Sequence, residues 1–156
     1  MIPEAELIRN EFIIREMDFP ENISFTKNSL LRWCCLSLGL ISKNETRDKA
    51  FAIFDVLFTF IFTKKINPTT IDILEELEKK HKIKTSEKLI RYHLNRLINL
   101  KIILRDGIKY KINPSPNSDK RNSIAESYKA WITKQVIIEM DKNFTALEKL
   151  QKAYEK

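Results

Sequence analysis

Residues 85–112 read TSEKLIRYHLNRLINLKIILRDGIKYKI: a polar opening, an amphipathic run crossed by arginines, then two short β-branched segments around Asp106-Gly107. In the first half Leu89, Ile90, Leu94, Leu97 and Ile98 recur at helical spacing and predict an inward stripe. Thr85 stands where it can cap that helix, since a hydroxyl ahead of the first turn accepts from the turn's free N–H groups. Lys88, Arg91, Tyr92, Asn95 and Arg96 are left on the outward face. In the second half, 102–105 and 108–112 have the composition of strands, and Asp106-Gly107 between them suits the positive φ angles of a tight hairpin turn. Lys109 and Lys111 alternate with Tyr110 and Ile112, so both lysines point to one, solvated side of the second strand.

The charge of the chain sits in the same place. Between residues 79 and 111 stand eleven Lys and Arg side chains against two acids, Glu87 and Asp106. That surplus of nine exceeds the net charge of the whole protein, +7, so the remainder is mildly acidic. A polyanion is the natural partner of such a segment.

Toward the N-terminus the pattern is helical. Thr69 and Asp72 have capping-box spacing and open TTIDILEELEKKHK, with Ile71, Leu74 and Leu77 on one face, which predicts a short helix over 69–82. Ahead of it, AFAIFDVLFTFIF (50–62) is apolar apart from Asp55 and belongs to a helix that starts after Ser42 and Glu45, again at capping-box spacing, and runs to about Thr63. LLRWCCLSLGLI (30–41) predicts a further helix from Thr26 or Asn28 to Leu38, closed by Gly39 in the left-handed region. Both runs fall short of the roughly 20 residues that a bilayer requires and read as buried helices, with no membrane association. EAELIRNEFIIREM (4–17) suits a short amphipathic helix.

Toward the C-terminus, NPSPNSD (113–119) has the composition of a linker. From 119 to 154 neither Gly nor Pro intervenes. A helix of that length, about 54 Å, is too long for so small a body to cover. Ile137, Met140, Phe144, Leu147, Gln151 and Tyr154 form a heptad seam with one polar position, and with Trp131 its apolar members are the expected contacts of a homodimer.

A chain of 156 residues at 43% hydrophobic content can bury one good core, and two glycines with five prolines favour helices over a sandwich or barrel. The expectation is a mainly α protein: an N-terminal helical extension over 1–45, a compact domain over 46–112, a linker over 113–118 and a C-terminal helix over 119–156. No nucleophile has a base nearby and no glycine-rich phosphate loop occurs, so no enzyme is expected. His81 and His93 have no Cys, Asp or Glu at ligand spacing, and neither a metal nor a cofactor is predicted. Adjacent Cys34 and Cys35 would form only a strained disulfide, and MIPEAELIRNEF carries no export signal. Both point to a reducing cytoplasm.

The order helix (46–64), helix (69–82), helix (85–100), hairpin (102–112) resembles the winged helix-turn-helix of archaeal and bacterial transcriptional regulators. TSEKLIRYHLNRLINLKII looks like that family's recognition helix, with a small polar opening, paired apolar residues, an exposed Arg, then HLxxL and a hydrophobic pair that starts the wing. One residue departs from the pattern: Lys101 stands where many family members have Gly, at a turn where a left-handed lysine costs on the order of 1 kcal/mol.

The resemblance implies a DNA-binding transcriptional regulator, and the residues add chemistry to it. Arginine and lysine match the acceptor edge of guanine, and asparagine the donor-acceptor pair of adenine, in a major groove. Thr85, Ser86, Lys88, Arg91, Tyr92, Asn95 and Arg96 on the helix, with Arg105, Lys109 and Lys111 on the wing, are the expected contacts to double-stranded DNA. Two other readings use the same features: an RNA- or ribosome-associated winged-helix factor, and a non-catalytic assembly module in which the basic face serves only solubility.

Overall fold

The computed structural model describes residues 1–44 and 49–156, and the chain is mainly helical. In chain order it forms α1 (Lys27–Ser37), α2 (Lys49–Phe58), α3 (Thr70–Glu76), α4 (Glu87–Asn99), strands β1 (Ile103–Asp106) and β2 (Lys109–Ile112), and α5 (Ile124–Glu155). α2 and α3 each end in a wider π turn, Thr59–Thr63 and Leu77–His81. The capping box expected from Ser42 and Glu45 falls on residue 45, outside the described residues.

α2 is the hub of the core. Its Ile53, Phe54, Leu57 and Ile61 are buried against Ile73 and Leu77 of the α3 segment and Ile90, Leu94 and Leu97 of α4. The capping box of α3 forms as its spacing predicts: Asp72 N–H donates to Thr69 Oγ1 at 3.1 Å, and Thr69 N–H to the Asp72 carboxylate at 2.9 Å. α4 is capped by Ser86 rather than Thr85, through the Leu89 N–H at 3.2 Å. The one-residue shift puts Leu89, the first inward residue, at the third helical position, where a cap reaches.

The α2, α3 and α4 segments close alike. Lys65, Lys82 and Lys101 have φ of 59°, 57° and 65°. After each, an isoleucine N–H reaches back into the helix: Ile66 to Phe60 at 2.9 Å and Ile83 to Leu77 at 3.3 Å, each across six residues, and Ile102 to Leu97 at 3.2 Å across five. These are the bonds of a left-handed helix terminus, a position that glycine usually fills. At Lys101 the turn is held further by Asn113 Nδ2, which donates to the Lys101 carbonyl at 2.8 Å.

β1 and β2 pair antiparallel, from Ile103 opposite Ile112 to Asp106 opposite Lys109. The two-residue loop is therefore Gly107-Ile108 rather than Asp106-Gly107. Gly107, at φ 64°, is the loop residue in the left-handed region, as a hairpin turn with glycine first requires. Pro68 and Thr69 run alongside β2: Tyr110 N–H donates to the Pro68 carbonyl at 2.8 Å, and Thr69 bridges Lys109. Buried Tyr110 completes the join through its hydroxyl, 3.2 Å from Thr70 Oγ1.

Both ends depart from their expected form. The amphipathic helix over 4–17 is instead one 3₁₀ turn, Pro3–Leu7, followed by an extended strap. The strap's polar groups find tertiary acceptors: Arg15 donates through its N–H to the Ser37 carbonyl at 3.0 Å and through its guanidinium to Leu36 and Ile41. Ile13 lies over Gly39, so close that a Cβ there would meet Ile13 Cδ1 at 2.6 Å. At the other end α5 begins at Ile124, capped by Ser123, five residues later than the position 119 expected. Its first turns dock on the hairpin: Ile132 is buried, Ser127 Oγ donates to the Ile102 carbonyl at 3.1 Å, and Gln135 to Leu100 at 3.1 Å. Every residue from 137 onward is exposed.

Candidate nucleic-acid interface

The inward stripe of α4 leaves a polar stripe on the opposite side. Lys88, Tyr92, Asn95 and Asn99 are exposed and Arg91 is half-exposed, at the i, i+3, i+4, i+7 spacing that puts them on one face. Lys88 and Asn95 make no hydrogen bond or ion pair among the described residues. Arg91 has only a loose contact with Glu87, 3.7 Å apart, with both side chains 43% exposed. A pair so exposed is worth no more than about 1 kcal/mol and yields easily to a better anion. Tyr92 lies edge-on to His93, with its ring otherwise in solvent.

Arg96 does not join them. It sits on the flank of the stripe, and its guanidinium donates to the carbonyls of Gly39 and Leu40. It was expected to face outward, but it ties α4 to the turn that follows α1, whose carbonyls lie outside the helix. The C-terminal end of the stripe is also partly engaged, since Asn10 of the strap donates to the Asn99 carbonyl at 3.1 Å. The open part of α4 therefore runs from its N-terminus to Asn95. Ser86 lies there, exposed, with its hydroxyl used as the cap; Thr85, beside it, is half-buried.

On the hairpin, Lys109 and Arg105 are exposed, and the Arg105 guanidinium lies 5.7 Å from the Tyr110 ring centroid. Lys111 is half-buried and stands 3.7 Å from Asp106. The alternation holds: Tyr110 and Ile112 face the core, and Lys109 and Lys111 face away.

One buried group escaped the sequence reading. Asp55, on α2, is 5% exposed and accepts from Lys80 Nζ at 2.9 Å and His81 Nε2 at 2.8 Å, with Lys27 at 3.9 Å. Burial alone would push its carboxyl up, but the hydrogen bonds from Lys80 and His81 and the charges of Lys80 and Lys27 outweigh it and hold the carboxyl below its ordinary value. Lys80 and His81 of the 79–84 run are thus turned toward Asp55, while Lys79, Lys82 and Lys84 stay exposed. The signal was present as a lone acid within an apolar helix, which at such burial needs a cation. Among the described residues no three or more His, Cys, Asp or Glu side chains gather as a metal site would require, and no helix is long and apolar enough to cross a membrane. Cys35 is buried, and burial pushes the neighbouring Cys34 thiol up, away from the reactive thiolate.

Trp131, expected at a subunit contact, turns back onto its own chain: its indole N–H donates to the Pro114 carbonyl at 3.3 Å. The other expected interface residues, Ile137, Met140, Phe144, Leu147 and Tyr154, are each more than half exposed.

No protein family, curated protein or solved structure matches this chain.

Proposed function

We propose that the protein binds duplex DNA through a winged helix-turn-helix over 46–112 and regulates transcription, with α4 as the helix that enters the major groove and the β1–β2 hairpin as the wing. One observation supports this most: between Lys88 and Asn95, α4 presents Lys88, Arg91, Tyr92 and Asn95 to solvent while the fold claims almost none of their side-chain polar groups. A fold that needed these side chains would have bound them, as it binds Arg96. A single β-bridge from Thr69 to Lys109, with the bond from Tyr110 N–H to the Pro68 carbonyl, ties the segment ahead of α3 to the hairpin, which fits the same architecture.

Duplex DNA fits better than structured RNA on geometric grounds. The B-form major groove admits an α-helix about 10–12 Å across, whereas the A-form groove is too narrow for its side chains to be read. Base-edge donors on a convex helix would be of little use on an A-form surface. The test is fluorescence anisotropy with random duplex DNA and duplex RNA of equal length across a salt series. Tighter binding to DNA, with log Kd rising steeply against log salt, is the expected result. Preference for the RNA would transfer the surface to an RNA-associated role, and binding to neither would leave it as a solvated face of an assembly module.

A further inference from the structure

The outer half of α5 has no partner within its own chain. From Ile137 to Glu155 the helix runs on for about 28 Å, and none of it is buried. A helix of that length gains most of its stability from packing, yet one side of it is apolar but for Gln151 and uncovered: Ile137, Met140, Phe144, Leu147, Leu150 and Tyr154 are 52–84% exposed. Such a stripe on a polar helix has the form of a seam that another helix covers.

We infer that its occupant is the same half of α5 from a second copy, paired in parallel and in register. Area permits this, because side chains exposed to that degree on two helices bury on the order of 1,000 Å² together, the lower bound for a specific interface. The orientation follows from two independent features of the seam. With Ile137, Phe144 and Gln151 at the first core position of the heptad and Met140, Leu147 and Tyr154 at the second, the flanks are unequal: Asp141, Glu148 and Glu155 line one side, and Val136, Asn143 and Leu150 the other. A parallel pair sets the acidic row of each helix against the uncharged row of its partner. An antiparallel pair sets acid against acid, which is repulsive over the whole length. Gln151 makes the same choice. In a parallel pair it meets its own copy across the two-fold axis, where two amides can bond to each other and fix the register; in an antiparallel pair it would be buried against Met140 of the partner subunit with no polar group to answer it. The two bodies then emerge side by side at one end of the coil. This pairing does not depend on what α4 binds.

The full chain tests it directly. Sedimentation equilibrium should show a dimer that dissociates with a micromolar constant, and Leu147→Asp should return it to 18.5 kDa without moving the melting of the body, because Leu147 touches none of it. Orientation is read in a Cys34→Ser background. Gln151→Cys should form an interchain disulfide on mild oxidation, since positions on the axis of a parallel coil come within the 4.4–6.8 Å that a disulfide spans, whereas an antiparallel pair would hold them roughly 16 Å apart. A wild-type chain that stays monomeric to roughly 200 µM, far above the micromolar range of the weakest such interfaces, overturns the pairing. So does a dimer that survives Leu147→Asp, and cross-linking of Gln151→Cys only when mixed with Met140→Cys overturns the orientation.

Discussion

Arg96 of α4 holds the carbonyl of Leu40 with one guanidinium nitrogen and that of Gly39 with the other, so an arginine within the most basic stretch of the chain serves the fold rather than the surface. Arg91, five residues earlier on the same helix, is spent only on a loose pair with Glu87. The two arginines should therefore separate stability from binding. Arg96→Ala removes charge-assisted bonds to part-buried carbonyls and should cost about 2–3 kcal/mol in urea denaturation, with DNA affinity per folded molecule unchanged. Arg91→Ala should leave the denaturation midpoint within about 0.5 kcal/mol of the parent and weaken DNA binding. Reversed results would place Arg96 in the groove.

Lys101 carries a backbone conformation that suits glycine, at the junction between the proposed reading helix and the wing. Lys101→Gly should raise stability by about 1 kcal/mol, the left-handed penalty less part of the extra entropy of an unfolded glycine. Melting temperature and urea midpoint should both rise, and the same exchange at Lys65 and Lys82 should do likewise. A loss of stability at Lys101 would mean that its side chain does more for the turn than the Asn113 bond and Ile102 packing suggest.

Much of this fold was legible because local and tertiary demands agree. Thr69 and Asp72, Thr26, Gly39 and the alternation of Lys109 to Ile112 each behave as their spacing predicts, since each solves its local problem within a few residues. The departures arise where a distant acceptor decides. Residues 4–17 have helical periodicity, but Arg15 gives its donors to the carbonyls of Leu36, Ser37 and Ile41 at and just past the end of α1, and Arg96 looks outward on a helical wheel until the carbonyls of Gly39 and Leu40 are brought beside it. Asp55 was seen as an interruption in an apolar run, but its partners lie at least 25 residues away in a segment that reads as surface charge. In the candidate interface, the helix face was therefore visible in advance, and its edges were not.

Asp55 gives the fold an acid limit. Its folded carboxyl titrates below its unfolded one, so the stability it contributes is fully present above the unfolded value and is lost as pH falls through the folded value. Asp55→Asn should destabilise the protein at pH 7 by about 1–3 kcal/mol, because Lys80 and His81 exchange a charged acceptor for a neutral amide oxygen. The difference between variant and parent should begin to narrow below about pH 4, where the unfolded carboxyl takes up its proton, and continue to shrink as pH falls through the lower folded value. Urea midpoints measured from pH 3 to 7 decide it, and a gap that is constant across that range would mean that the carboxylate's charge plays no part.

The wing and the helix should fail differently on DNA. Lys109 is exposed on β2, where a single flexible ammonium suits a phosphate and carries no sequence information. Lys109→Ala should weaken every duplex alike and reduce the log–log salt slope by about 0.9, the counterion released by one phosphate contact. Asn95, an exposed amide at the C-terminal end of the open stripe, can satisfy the donor and acceptor of adenine together. Asn95→Ala should leave the salt slope and random-sequence affinity nearly unchanged and cost about 1–3 kcal/mol on a selected site. That site is obtained first by selecting from a random duplex library with the unaltered protein. If both substitutions weaken selected and random duplexes by equal factors, α4 lies along the backbone and reads no bases, and the protein is a sequence-independent DNA binder.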